Sequence, residues 1–206
     1  RPDVVDIASD HIDEASGLIF RRAGLPLLFR ADPAEPAGQL GFAKPQMDDV
    51  ASYFCTGGTT GLPKAARYSH MRWMSSGDVM HVTLNVTRDD VFYCCLPLYH
   101  GAAATSVTST ALKSGSSIVV RRKFSTREFW TDVRSHRITI FQYIGEICRY
   151  LLNAPPQPND REHSLRSMLG AGLTAESWTR WLERFGPIDV YEGWGSTEAN
   201  TALINV

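Results

Sequence analysis

Tyr53-Phe54-Cys55-Thr56-Gly57-Gly58-Thr59-Thr60-Gly61-Leu62-Pro63-Lys64 runs from an aromatic segment into a loop of small and hydroxylated residues that closes on a lysine. The apolar and aromatic run from Val50 to Cys55, followed by glycines, is a strand signal. Gly57, Gly58 and Gly61 let the backbone turn tightly and come close to a ligand. Successive N–H groups then form an anion-binding nest, and Thr56, Thr59, Thr60 and Lys64 add donors and positive charge. Phosphate is the ligand such a loop suits. A Walker loop is excluded, because Pro63 precedes the lysine and Ala65 follows it, where that motif needs Gly-Lys and then Ser or Thr. A plain turn between two elements is the blander reading. Three glycines, three threonines and a Pro-Lys ending argue against it.

Outward from this loop, strand-like and helix-like stretches alternate. Met71 to about Val86 suits a helix, Val91–Cys95 a strand, Gly101–Leu112 a buried alanine-rich helix, and Ser116–Val120 a strand. Ser125-Thr126-Arg127-Glu128 has the spacing of a capping box for a helix reaching about His136. Ile138–Gln142 reads as a strand and Ile144–Asn153 as a helix. The prolines of 154–160 require a loop. Arg166–Leu169 and Ile188–Tyr191 read as strands on either side of a helix over Thr174–Phe185. Such alternation predicts an α/β fold of βαβ units with a mainly parallel sheet. Residues 1–45 are less regular and read as a connecting segment, leaving 46–206 as the ordered domain.

Bulk properties narrow the function. The chain has 206 residues and carries 21 Lys and Arg against 22 Asp and Glu, a net charge of -1. That balance lacks the basic excess of a nucleic-acid-binding protein. No apolar run reaches the ~20 residues that span a bilayer, and the first residues lack a signal-peptide layout. Cys55, Cys94, Cys95 and Cys148 contain no C-x-x-C pair, so they read as reduced thiols in a cytoplasmic protein rather than as zinc ligands. Arg121-Arg122-Lys123 is a basic cluster that could touch anionic lipid at a membrane face. A solvated strand end is the simpler reading of three charges.

Two further segments follow the loop in order. Leu96-Pro97-Leu98-Tyr99-His100-Gly101 lies between a strand and a helix, and Glu192-Gly193-Trp194-Gly195-Ser196-Thr197-Glu198 follows the last strand. Together with Thr56–Lys64 they resemble the signature segments of the adenylate-forming superfamily, which includes acyl-CoA synthetases. Gln142-Tyr143-Ile144-Gly145-Glu146-Ile147-Cys148-Arg149-Tyr150-Leu151-Leu152-Asn153 resembles a segment of the fatty acid transport protein, or very-long-chain acyl-CoA synthetase, branch. Leu169-Gly170-Ala171-Gly172-Leu173 resembles that branch's Gly-x-Gly-Leu segment, which commonly has asparagine where Ala171 stands. The resemblance covers about Val50 to Val206.

The resemblance implies the large N-terminal domain of an enzyme that uses ATP and Mg²⁺ to join a carboxylic acid, of fatty type, to CoA. It implies that the loop from Thr56 to Lys64 holds phosphates, with Thr59 and Lys64 taking part in the chemistry. It places His100 near the acyl carboxylate, and Gly170, Ala171 and Gly172 beside the nucleotide. Glu192, Gly193, Trp194, Gly195 and Ser196 would line the nucleotide site, with Trp194 stacked on adenine. Thr197 would bond the α-phosphate and Glu198 would hold Mg²⁺. The family often has tyrosine at the position of Trp194, so the stacking face carries over and a hydroxyl does not.

The resemblance also expects a ribose-binding aspartate and a small C-terminal domain with a catalytic lysine, and both are absent before Val206. An incomplete part of a longer enzyme, weak or inactive alone, is therefore expected. Two other classes compete. Gly170–Ala175 also fits the G-x-G-x-x-A form of a dinucleotide fingerprint, with Glu192 at the spacing of a ribose ligand, as in an NAD(P)-binding Rossmann-type dehydrogenase. A non-catalytic module binding nucleotide or acyl groups is the third.

Overall fold

The computed structural model describes residues 27–30, 46–56, 64–197 and 201–205. Among the described residues, nine strands and five α-helices follow one another: β1 Leu27–Arg30, β2 Val50–Thr56, β3 Lys64–Ser69, α1 His70–Thr83, β4 Val91–Cys94, α2 Thr110–Ser114, β5 Ser117–Val120, α3 Phe129–Ser135, β6 Ile140–Ile144, α4 Gly145–Asn153, β7 Ser167–Ala171, α5 Ala175–Phe185, β8 Asp189–Ser196 and β9 Thr201–Ile204. A π-helical segment, Ala102–Ser109, leads into α2. The main sheet has the order β1-β5-β4-β6-β7-β8-β9. Its five inner strands are parallel, and β1 and β9 close the edges antiparallel. The expected α/β class and mainly parallel sheet are present.

Strand order sets where a ligand can sit. The chain leaves β4 for β5 on one side and returns to β6 on the other, so β4 and β6 flank a topological switch point. In open parallel sheets the crevice outside the carboxyl ends of the strands at such a point is the binding site. Period-2 alternation sorts the sheet's side chains. Tyr93 and Phe141, paired in register, point to the side of α3 and α5. There Tyr93 meets Phe129 edge-on at 5.2 Å and Phe141 lies 6.3 Å from Trp181. Gln142 and Leu169 point to the opposite side, toward α1 and the π-helical segment.

Polar clamps hold the crossovers. Arg184 on α5 donates to Asp160 at 2.7 Å and to the carbonyls of Leu152 and Ala154, which end α4 without partners in their own helix. Arg166 grips Asp90 at 2.8 Å through both Nε and Nη2. Burial alone would raise the Asp90 carboxyl. The bonds from Arg166, the Thr87 amide and Thr139 outweigh it and lower the pKa to about 2.

Several expected boundaries moved. The capping box does not form: α3 starts at Phe129, whose N–H bonds the Ser125 carbonyl, and no side chain caps Glu128. Glu128 lies 3.5 Å from Arg121 instead. Strand β6 starts two residues later than expected, because the Ile138 N–H bonds Val133 O and finishes the helix turn. Strands β3 and β9 were not expected, and β8, expected to end at Tyr191, continues through Glu192–Ser196. Leu27–Arg30, within the expected connecting segment, forms an edge of the main sheet. Arg121 of the basic cluster is bound bidentately by Asp132, which leaves Arg122 and Lys123 as its exposed charges.

Candidate active site

A cleft of about 570 Å³ opens at the carboxyl ends of β4, β6, β7 and β8. Its lining joins segments far apart in sequence: His100 and Gly101 after β4, Gly170 and Ala171 at the end of β7, and Gly193–Thr197 along β8 and just beyond it. The facing wall is α1, through Ser75, Ser76, Val79, Met80 and Thr83. Those positions recur at helical spacing and span about two turns.

The second and third sequence segments meet here. A Cβ placed on Gly101 would stand 3.3 Å from Thr197 Oγ1, so the Thr197 side chain packs against the Gly101 backbone. His100 is exposed, and its Nδ1 accepts from the Ala102 N–H at 3.3 Å. With Nδ1 accepting, Nε2 is the ring nitrogen left to donate. Trp194 is 61% exposed, which leaves its ring available for stacking. The Tyr68 hydroxyl donates to the Thr197 carbonyl at 2.7 Å. That bond ties the β2–β3 hairpin to the third segment.

Glu192, expected beside the nucleotide, has its carboxylate taken up by neighbouring groups. It does not line the cleft. Its carboxylate accepts from the Gly172 N–H, from the Leu173 N–H at 3.1 Å, and from the Tyr143 hydroxyl. Burial and the adjacent Glu192 charge push the Tyr143 phenol pKa upward. On the other side, Asn205 Oδ1 accepts from the Glu192 N–H at 2.6 Å, and the Asn205 N–H bonds the Glu192 carbonyl at 3.2 Å. Glu192 thus fixes the turn after β7 and does not reach into the cleft. A ribose ligand, as the dinucleotide reading requires, would have to displace those partners.

The turn it fixes is tight. Gly172 has φ +88°, a conformation that glycine adopts freely. A Cβ on Gly145 would fall 1.8 Å from the Gly172 carbonyl oxygen, so α4 begins in backbone contact with this turn. Gly170 and Ala171 reach the cleft, whereas Gly172 supports them from behind. Tyr68, Tyr143 and Asn205 are the parts that sequence reading missed. Their partners lie 13 to 129 residues away, and no local pattern announces them.

The expected residues Gly57, Gly58, Thr59, Thr60, Gly61 and Glu198 lie outside the described residues, as do the side chains of Thr56 and Lys64. Strands β2 and β3 flank the loop in antiparallel register, with Thr56 opposite Lys64, so the loop joins the two strands of a hairpin. Among the described residues no three His, Cys, Asp or Glu side chains cluster as metal ligands. Mg²⁺ needs no such cluster, since one or two carboxylates plus substrate phosphates suffice. Cys94, Cys95 and Cys148 are buried, and burial raises the first two thiols to about 11 and about 12. They are protonated at neutral pH and poor nucleophiles.

Comparison with known proteins gives the family and the fold. A family model described as AMP-binding enzyme matches residues 8–206. The chain is 42% identical over 194 residues to human long-chain fatty acid transport protein 3, covering 93% of this chain and 28% of that protein. It is 43% identical over 162 residues to the medium/long-chain-fatty-acid–CoA ligase FadD6 of Mycobacterium tuberculosis, covering 78% and 27%. Among solved structures, ATP-bound MatB from Rhodopseudomonas palustris superposes with a TM-score of 0.67 at 25% identity, covering 78% of this chain and 32% of that one. The chain thus spans about a quarter of the length of the curated relatives it matches.

Proposed function

The chain belongs to the AMP-binding enzyme family, and from that premise we propose that the protein carrying it activates a carboxylic acid of the fatty-acyl class with ATP and transfers it to CoA. The observation that carries this reading is the single cleft on which His100, Gly170–Ala171 and Gly193–Thr197 converge at the switch point of the sheet. The names of relatives, a fatty-acid–CoA ligase among them, point to the same substrate class.

In the first step a carboxylate oxygen attacks the α-phosphorus of ATP and pyrophosphate leaves, giving an acyl-adenylate. In the second, CoA thiolate attacks the acyl carbonyl and AMP leaves. Charge shifts between phosphate oxygens in the first step, so positioning and fixed donors dominate catalysis. Trp194 offers its exposed face to adenine. Thr197, held by Tyr68, offers its hydroxyl to the α-phosphate. His100, with Nε2–H free, donates to the acid's carboxylate. The hairpin loop with Thr59, Thr60 and Lys64 takes the outer phosphates. Glu198 and the phosphates would hold Mg²⁺, which when bound would neutralise phosphate charge. Among the described residues no helix is long and apolar enough to cross a membrane. Peripheral contact with a membrane is part of this proposal only through the named relatives, since Arg121 is held by Asp132.

The test is fatty-acid-dependent exchange of pyrophosphate into ATP by the full-length protein. Glu198→Ala is expected to lower it by about 100-fold or more, in line with removing a transition-state electrostatic contact. Failure of every fatty acid to support exchange would sink the proposal. Unchanged exchange in the variant would remove Glu198 from the metal site.

A further inference from the structure

The acid side of the cleft holds one buried polar group that the proposed reaction leaves unused. Gln142, in the middle of β6, is 3% exposed, and its Oε1 has no hydrogen-bond partner. Native proteins keep few such atoms, and each calls for an explanation. The residue lines the cleft together with Ile144, Leu169, Met80 and Thr105. Alternation along β6 puts Phe141 and Tyr143 on the far face, so the amide faces the cleft side. Its register neighbours are Cys94 and Leu169. The Cys94 thiol is directed to the Leu96 carbonyl at 3.5 Å, and Leu169 is apolar. Neither satisfies Oε1.

Depth identifies what could. Gln142 lies two residues before Ile144, the last residue of β6. At about 3.3 Å per residue this is roughly 6–7 Å below the carboxyl edge of the sheet. The nucleotide segments Gly193–Thr197 run along that edge. A ligand group reaching Gln142 therefore belongs to the part of the substrate that descends between the sheet and α1, which is the acid.

We propose that Gln142 is an acid-binding residue whose side-chain amide hydrogen-bonds an oxygen of the bound carboxylic acid. The assignment rests on reading the cleft as an acid-activating site. An amide donates through Nε2 or accepts through Oε1 after a half-turn about its last torsion. It can thus serve a carboxyl oxygen, or a hydroxyl or keto oxygen carried on the chain.

The experiment compares a saturated fatty acid with the same chain bearing one hydroxyl, in pyrophosphate exchange by the full-length protein. Wild type, Gln142→Leu and Gln142→Met are measured, and KM for ATP is recorded alongside. The variants are expected to lose about 10-fold or more in kcat/KM for at least one acid, with KM for ATP within about twofold of wild type, as for an unmatched buried hydrogen bond. A loss shared by both acids identifies the carboxyl oxygen. A loss confined to the hydroxylated acid identifies a chain oxygen. Values unchanged for both acids, or a change seen in KM for ATP alone, overturn the assignment and return Oε1 to a bound water. Gln142→Met keeps similar volume without the amide and gives the same reading where the leucine variant does not fold. Absence of exchange with every acid in the wild-type protein defeats the adenylation reading itself. Exchange indifferent to residue 142 defeats this assignment alone.

Discussion

Replacing Glu192 with alanine should free the turn that carries Gly170 and Ala171. The carboxylate accepts two backbone N–H groups, from Gly172 and Leu173, and the Tyr143 hydroxyl. Gly172 is exposed, so its N–H can turn to water and its loss costs little. Leu173 and Tyr143 are buried, at 7% and 0% exposure. Leaving a buried donor unmatched costs about 1–3 kcal/mol, so the two together weaken the turn by about 2–6 kcal/mol. One factor of ten in an opening equilibrium is about 1.4 kcal/mol. Amide exchange at Leu173 should therefore quicken by roughly 30- to 20,000-fold, read by hydrogen exchange on the full-length protein. Glu192→Gln is the control. Its amide oxygen can still accept from both N–H groups, and its Nε2 can donate to the Tyr143 oxygen, so exchange should stay within about fivefold of wild type. Equal exchange at Leu173 in wild type and Glu192→Ala would refute the argument. So would a glutamine variant as labile as the alanine one.

Two further outcomes follow from contacts already described. Gly145→Ala would drive a methyl group into the Gly172 carbonyl, where only backbone can yield, and should cost about 3 kcal/mol or more, measured as a lowered urea midpoint. Asp90 has a folded pKa of about 2 against an ordinary 3.8, so its stabilisation is complete above about pH 4 and disappears as pH falls through 2. Asp90→Asn should remove about 2 kcal/mol at pH 7 and flatten the loss of stability between pH 4 and 2 in acid titrations followed by circular dichroism; a variant with the wild-type acid limb would contradict this.

Where burial patterns were strong, the sequence was readable. The apolar runs at Val91–Cys95 and Ser116–Val120 and the amphipathic stretch ending at Phe185 gave strands and helices close to their true places. Strand β3, Lys-Ala-Ala-Arg-Tyr-Ser, was not readable, because its stability comes from pairing with β2 and from the single buried ring of Tyr68, not from an apolar alternation. Strand β8 was expected to end at Tyr191, yet β9 pairs with Gly193–Ser196 and holds that segment extended. The capping box failed because Glu128 found a guanidinium instead of an amide. Within the site, His100, Trp194 and Thr197 were legible as residue types in a recognisable order. Glu192 was legible as part of the third segment, but its partners were not, since only the folded chain shows Tyr143 and the turn at Gly172 converging on it. Gln142 carried no signal at all, because an unmatched amide is a property of its surroundings.

The bond from Tyr68 to Thr197 has a consequence beyond geometry. Strands β2 and β3 form a two-stranded ribbon outside the main sheet, and such ribbons are marginal by themselves. Its footing includes the Phe54–Tyr68–Ala104 cluster and that one hydroxyl. The same tyrosine therefore anchors the strap that bears the glycine-rich loop and steadies the backbone at Thr197. Loosening Tyr68 therefore loosens the β2–β3 ribbon and the backbone at Thr197 together, since one side chain serves both.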